Sequence, residues 1–317
     1  MCGFHTVTED QAKLIAARTA VARQVTKSPF GSDDQIGMLN LIDADSMRSA
    51  LANVDPRKVY DLSTDFFPGM PSYDTNGDMS FQFSMSHTPR DEMFDGKDIS
   101  YSGDTVSFYT HTGTHVDTLN HYSYENKIWN EFSVDENLRR TWNVAGADKH
   151  PPTIARGVLL DIPATQGADT LPDSYGIGRK EIEDALKRQN VEIRFGDVVA
   201  IRTGRMQLWP DRAYLDMPDP GLTLDGAKAL AEQGVVTIGA DNLGLEQRLP
   251  HDTLPGFMNL PVHYYLLMEA GVPIIECMDL EELAADGVYE FAYIGACMKI
   301  RGASGAPVRP MAIPMGR

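Results

Sequence analysis

The chain opens on a helical period. Thr8 with Gln11 three places on makes a capping box, and Leu14, Ala17, Val21 and Val25 recur at helical spacing, which predicts a helix over 8–26. A shorter helix is expected from Ala44 to Ala52, capped by Asp43. From Val59 the texture changes to short runs of β type: SFQFSMSH (80–87), TVSFYT (105–110), VLLDI (158–162), DVVAIRT (197–203), VVTIGA (235–240) and YEFAYIGACMKI (289–300). Helical patterns lie between the later runs, at 179–189, 223–233 and 261–270, each closed or followed by Gly or Asn. Strands alternating with helices in the second half, after a more β-rich first half, predict a mixed α/β domain rather than a bundle or a sandwich.

No internal repeat, low-complexity tract or Ser/Pro-rich linker divides the 317 residues, and Pro151-Pro152 is the only hint of a boundary. The expected organisation is one catalytic domain, 56–317, behind an N-terminal helical extension, 1–55. A composition of 42% hydrophobic and 23% charged residues is that of a globular protein and excludes a disordered or collagen-like chain. The net charge of −17 argues against nucleic acid and anionic membrane surfaces as partners, because both are held chiefly by clustered Lys and Arg. Cys2, Cys277 and Cys297 have no CxxC spacing and are odd in number, so neither a disulfide framework nor a zinc ribbon is indicated and a reducing compartment fits. The N-terminus lacks the apolar core of a signal peptide, and no stretch reaches the roughly 18 apolar residues of a membrane span, so a cytoplasmic location is expected.

Histidine changes the picture most. Three of the eight, His111, His115 and His121, fall within eleven residues, where even scattering would place about 0.3. The stretch reads HTGTHVDTLNH, with Asp117 among them. Imidazole nitrogens with a carboxylate are a donor set for zinc or manganese. In a straight strand residues four apart are about 13 Å apart, too far to share an ion. A regular helix would bring His111 and His115 together, but Thr110, Thr112, Gly113 and Thr114 form helices poorly. A strand that bends at Gly113, where the missing Cβ permits unusual backbone angles, would put His111, His115 and Asp117 on one face.

Other chemistries are weaker on the sequence. There is no GxSxG elbow, Cys277 and Cys297 sit in apolar strand-like runs, and GIGRK (176–180) is too short for a phosphate loop. Two His and a carboxylate also make the facial triad of a mononuclear non-haem iron oxygenase, and a metal-binding protein without turnover would carry the same ligands. Trp129, Trp142, Trp209, Phe66 and Phe67 are candidates for lining a pocket, although core packing is the commoner use of an aromatic.

The histidine string resembles the signature of the cyclase-like metal-dependent hydrolase family, which includes kynurenine formamidases, isatin hydrolases and trans-dienelactone hydrolases. The signature, H-x-G-T-H-x-D-x-P-x-H, is matched at His111, Gly113, Thr114, His115, Asp117 and His121, and Leu119 stands at its proline. Asp61-Leu62-Ser63 with Pro68-Gly69-Met70-Pro71, GDVVAIRTG (196–204), IGADN (238–242) and PVHYYLLMEAGVPIIECMDLEEL (from Pro261) resemble further segments of the family. The resemblance implies the swivelling β/β/α cyclase-like fold and a homodimer or homotetramer. It also implies one or two Zn²⁺ or Mn²⁺ ions held by His111, His115 and Asp117, with His263 and Glu276 serving a second ion and Asp117 bridging. His121 is then the catalytic histidine. The implied reaction is hydrolysis of a small cyclic ester or amide (lactone, lactam or dienelactone-like), or of an aryl formamide.

Overall fold

The computed structural model describes residues 24–72, 78–91, 99–215, 218–250 and 260–316. Among these the strands, in chain order, are β1 (Tyr60–Asp61), β2 (Gln82–His87), β3 (Gly103–Ser107), β4 (His115–Asp117), β5 (Lys127–Ile128), β6 (Phe132–Ser133), β7 (Thr153–Asp161) and β8 (Gly176–Ile177). They continue with β9 (Val198–Arg202), β10 (Gly221–Leu222), β11 (Thr237–Ala240), β12 (Ile274–Glu276), β13 (Glu290–Gly295), β14 (Gly305–Pro307) and β15 (Met311–Pro314). Nine of them form one sheet in the order β1-β15-β13-β7-β9-β11-β12-β4-β14. Its centre, β7-β9-β11-β12, is parallel, and the strands on both flanks pair antiparallel.

The parallel centre explains the unbroken apolar run in β9. Val199 and Ile201 face one apolar layer, together with Val158, Leu160, Ile238 and Ile274. Val198 and Ala200 face the other, with Leu159, Ile275, Phe291 and Tyr293. A parallel strand is covered on both faces, so both sets of side chains are apolar.

The longer helices are α1 (Ala44–Ala52), α2 (Arg179–Gln189) and α3 (Leu224–Ala231). Asp43 caps α1 in a reciprocal box with Ser46, Thr223 caps α3, and Asn190 closes α2 in the left-handed region. α1 and α2 coincide with the sequence-based ranges, and α3 stops two residues short of its range.

Other boundaries differ for physical reasons. The 261–270 pattern is one α turn, Pro261–His263, that widens into a π-helix, Tyr264–Ala270, and ends at Gly271 with φ +66°. The 289–300 run stops pairing at Gly295, because Cys297 and Met298 cross to bond Val308 and Pro307. The predicted helix over 8–26 lies outside the described residues as far as 23. Thr26 is not helical, since its amide bonds the Met268 carbonyl while its own carbonyl accepts from Asn130. No helix among the described residues is long and apolar enough to cross a membrane.

Candidate metal centre

β4 carries the first half of the site. It lies between β12 and β14, so His115 and Asp117, two apart on a strand, project from the same face and are fully buried. The chain reaches β4 through a bend at Gly113, φ +60°, where a Cβ would stand 2.7 Å from the Phe66 ring. Thr114 pins the bend: its hydroxyl donates to the Cys277 carbonyl at 2.6 Å and accepts from the Thr64 amide at 2.8 Å. The bend folds His111 back, so that its Nδ1 donates to Asp117 Oδ1 at 2.6 Å. On β14, Gly305 pairs with Asp117, and a Cβ there would be 2.5 Å from the His111 ring, so only glycine leaves room for it.

β12 and the turn at Pro261 supply the second half. Glu276 is the register partner of His115 across β4–β12, and the next residue, Cys277, turns the strand end through φ +57°. His263 sends Nε2 to Glu276 Oε1 at 3.1 Å and to Asp117 Oδ2 at 3.6 Å. Its Nδ1 donates to Glu246 Oε1 at 2.7 Å. Two groups of possible ligands result, His111-His115-Asp117 and Asp117-His263-Glu276, and both include Asp117.

The donor set fits divalent ions. Two ligands each about 2.1 Å from a tetrahedral ion lie roughly 3.4 Å apart. His115 Nε2 stands 3.4 Å from Asp117 Oδ1 and 3.6 Å from Glu276 Oε2. His115 donates its Nδ1–H to the Gly113 carbonyl, and Glu246 takes Nδ1–H of His263, so both rings turn Nε2 toward the ligand groups. Among the described residues no Lys or Arg pairs with Asp117 or Glu276. Two buried carboxylates without a fixed cation call for one.

Burial presses His263 down, but hydrogen bonds to Glu246 and Glu276 outweigh it and hold the ring at about 10. Burial works against the charge of Asp117 too. The neighbouring His121 and His111 overcome it and keep this carboxyl well below the usual range.

His121 lies outside both ligand groups. Its ring stacks on His111 with centroids 4.1 Å apart, and Nε2 is 3.8 Å from Asp117 Oδ2. With 22% of its side chain exposed it is the most accessible of the site histidines. Burial pushes it down to about 3; Asp117 opposes this, and the imidazoles of His111, His263 and His115 add to it. The ring is therefore neutral at pH 7, the form that can accept a proton.

Residues 60–247 match the sequence model of the Cyclase family, which is more than half of the chain. The chain belongs to the Cyclase family. A solved structure described as a novel cyclase is 29% identical, with a TM-score of 0.81, and the match covers 91% of this chain and 99% of that one. Isatin hydrolase A from Ralstonia solanacearum shares the fold at 19% identity, TM-score 0.62, over 81% of this chain and 92% of its own. A protein described as a potential metal-dependent hydrolase with cyclase activity does so at 20% identity, TM-score 0.53, over 80% and 98%. None of the curated proteins gives a significant match.

Within this Cyclase-family centre, Glu246 escaped sequence reasoning. It is fully buried, follows Leu245 at φ +55°, and accepts from the amides of Val262 and His263 as well as from the ring. It thus holds the helix start and the tautomer of His263 at once. Nothing local marks it, because it meets His263 only through the chain reversal 17 residues later. Glu246→Gln, which keeps the shape and loses the charge, is expected to weaken metal binding about 10–100-fold, measured by titration of metal-free protein. His263→Ala and Glu276→Ala are each expected to lower metal content by about one equivalent per chain in elemental analysis while the His111-His115-Asp117 group keeps its ion.

The aromatic candidates divide. Trp129 and Trp142 belong to the core, and Phe67 packs edge-on against Trp209. Phe66 sits against the Gly113 bend. Burial pushes the Cys277 thiol well above its usual value and Cys297 to about 11, so neither is an activated nucleophile.

Proposed function

We propose that this Cyclase-family chain is a metal-dependent hydrolase that opens a small cyclic ester or amide, or cleaves an aryl formamide. The observation that carries the reading is the arrangement of two buried ligand groups joined at Asp117, beside a neutral, partly exposed His121 that belongs to neither. His111, His115 and Asp117 would hold one ion and Asp117, His263 and Glu276 a second, with imidazole and carboxylate donors suited to zinc or manganese. A divalent ion there supplies a polarised carbonyl and water acidified from a pKa of 15.7 to about 7.

His121 does the proton work. It accepts a proton from the attacking water, whose oxygen bonds to the acyl carbon, and returns it to the nitrogen or oxygen that leaves as the C–N or C–O bond breaks. Stacking on His111 fixes its ring for both transfers, and 22% of its side chain is open to solvent. The name of the neighbouring isatin hydrolases, whose substrate is a cyclic amide, supports the bond class.

Hydrolysis of any of these substrates yields a carboxylic acid that ionises at once near pH 7. A weakly buffered indicator assay over dienelactones, isatin, N-formylkynurenine and cyclic imides therefore needs no knowledge of the product. At least one is expected to release acid with metal-loaded protein and none with chelated protein. Oxygen uptake in place of acid release would favour the iron oxygenase, and metal binding with no turnover across the panel would favour a binding protein.

A further inference from the structure

His111 differs from the other ligand candidates in how it is held. His115 and Glu276 stand on paired strands and His263 on the turn at Pro261, whereas His111 lies before β4, on the far side of the Gly113 bend. Its ring is nevertheless buried and engaged at both nitrogens. Nδ1 meets Asp117 Oδ1 at 2.6 Å, and Nε2 meets the hydroxyl of Ser304 at 3.1 Å. Among the described residues His111 is the one hydrogen-bond partner of Ser304 Oγ.

Ser304 is itself tied to the strand that carries the site. It precedes β14, whose first residue, Gly305, pairs with Asp117. Its carbonyl accepts from the Thr118 amide at 3.0 Å and from the Thr118 hydroxyl at 2.8 Å. The Ser304 hydroxyl therefore reaches His111 from a backbone registered against β4, while Gly305 leaves room for the ring and His121 stacks on it.

An imidazole coordinates a cation through one unprotonated nitrogen, and its other nitrogen then carries a proton that needs an acceptor. For His115 and His263 the acceptors, the Gly113 carbonyl and Glu246, stand at Nδ1 and Nε2 faces the ligand groups. For His111 the order is reversed, with Nδ1 against Asp117 and Nε2 against Ser304.

We propose that Ser304 is a positioning residue of the metal centre, whose hydroxyl takes the Nε2 proton of His111 and so presents Nδ1 to the ion shared with His115 and Asp117. This rests on the metal-binding reading above. The residue type fits the task, because a hydroxyl both donates and accepts. While Nδ1–H donates to Asp117, Ser304 donates to Nε2; once Nδ1 is given to an ion, the same oxygen accepts from Nε2–H. The ring changes tautomer and neither nitrogen is left without a partner. Alanine fills neither role and leaves the buried Nε2 unpaired.

Titration of the metal-free full chain with zinc, in competition with a chromophoric chelator, tests this. Ser304→Ala is expected to weaken one zinc equivalent about 10–100-fold, the worth of an outer hydrogen bond to a ligand, and Ser304→Thr, which keeps the hydroxyl, to restore it. The loss should add to that of Glu246→Gln, which acts on the other ring, and disappear in the His111→Ala background, where Ser304 has no ring to hold. Thermal unfolding of the metal-free variants is the control, since a serine that merely supports the fold would lower that melting temperature and leave zinc affinity alone. Zinc affinity unchanged in Ser304→Ala, or an equal loss in the His111→Ala background, overturns the proposal while the metal-binding reading stands. So does a Ser304→Thr variant that melts like the wild type yet loses zinc as alanine does. A wild type that binds no zinc overturns the metal-binding reading, and this inference with it.

Discussion

Asp117→Ala is expected to empty the whole metal centre, with both equivalents lost in elemental analysis and hydrolysis reduced on the order of 10³-fold or more. The size of the effect follows from the position of this carboxylate. Oδ1 faces His111 and His115, and Oδ2 faces His263 and His121, so one side chain completes both ligand groups. Alanine in its place leaves four imidazoles crowded around a neutral gap, with Glu276 as the remaining carboxylate of the ligand groups. Asp117→Asn, which keeps the volume, should behave nearly as badly if charge and coordination are what matter. Metal retained at full stoichiometry in either variant would show that Asp117 is not shared between ions.

His121→Ala is expected to separate the two roles of the histidine cluster. Because His121 lies outside both ligand groups, the variant should keep the metal content of the wild type while losing roughly 10²–10⁴-fold in kcat, the usual worth of a general acid/base. Its stacking on His111 and the approach of its Nε2 to Asp117 at 3.8 Å are the contacts through which metal affinity could shift, so elemental analysis and kcat must be measured on the same preparation. A variant that loses the ion along with activity would make His121 a ligand.

How much of this was legible in the sequence depended on how local each feature is. The cluster from His111 to His121 could be read because a strand with one bend suffices to gather it, and the bend at Gly113 is where a missing Cβ was needed. Helices α1 and α2 and the strand run of β9 followed from local pattern alone, whereas the burial of β9 on both faces emerged with the sheet order. His263 and Glu276 were indicated only by family resemblance, since the 12 residues between them include a π-helix and most of a strand whose register no spacing encodes. Glu246 was invisible for the same reason, and its strained neighbour Leu245 carries no compositional mark. SFQFSMSH (80–87) was legible as a strand run, and β2 occupies Gln82–His87 of it.

The central claim is that the buried carboxylates and imidazoles around Asp117 hold divalent metal, and the most direct test is elemental analysis of protein purified without chelator, before and after chelation and reloading. One to two equivalents of zinc or manganese per chain, removed by chelator and restored with the ion, is the expected result. Protein that carries no transition metal and takes none up on reloading would contradict it.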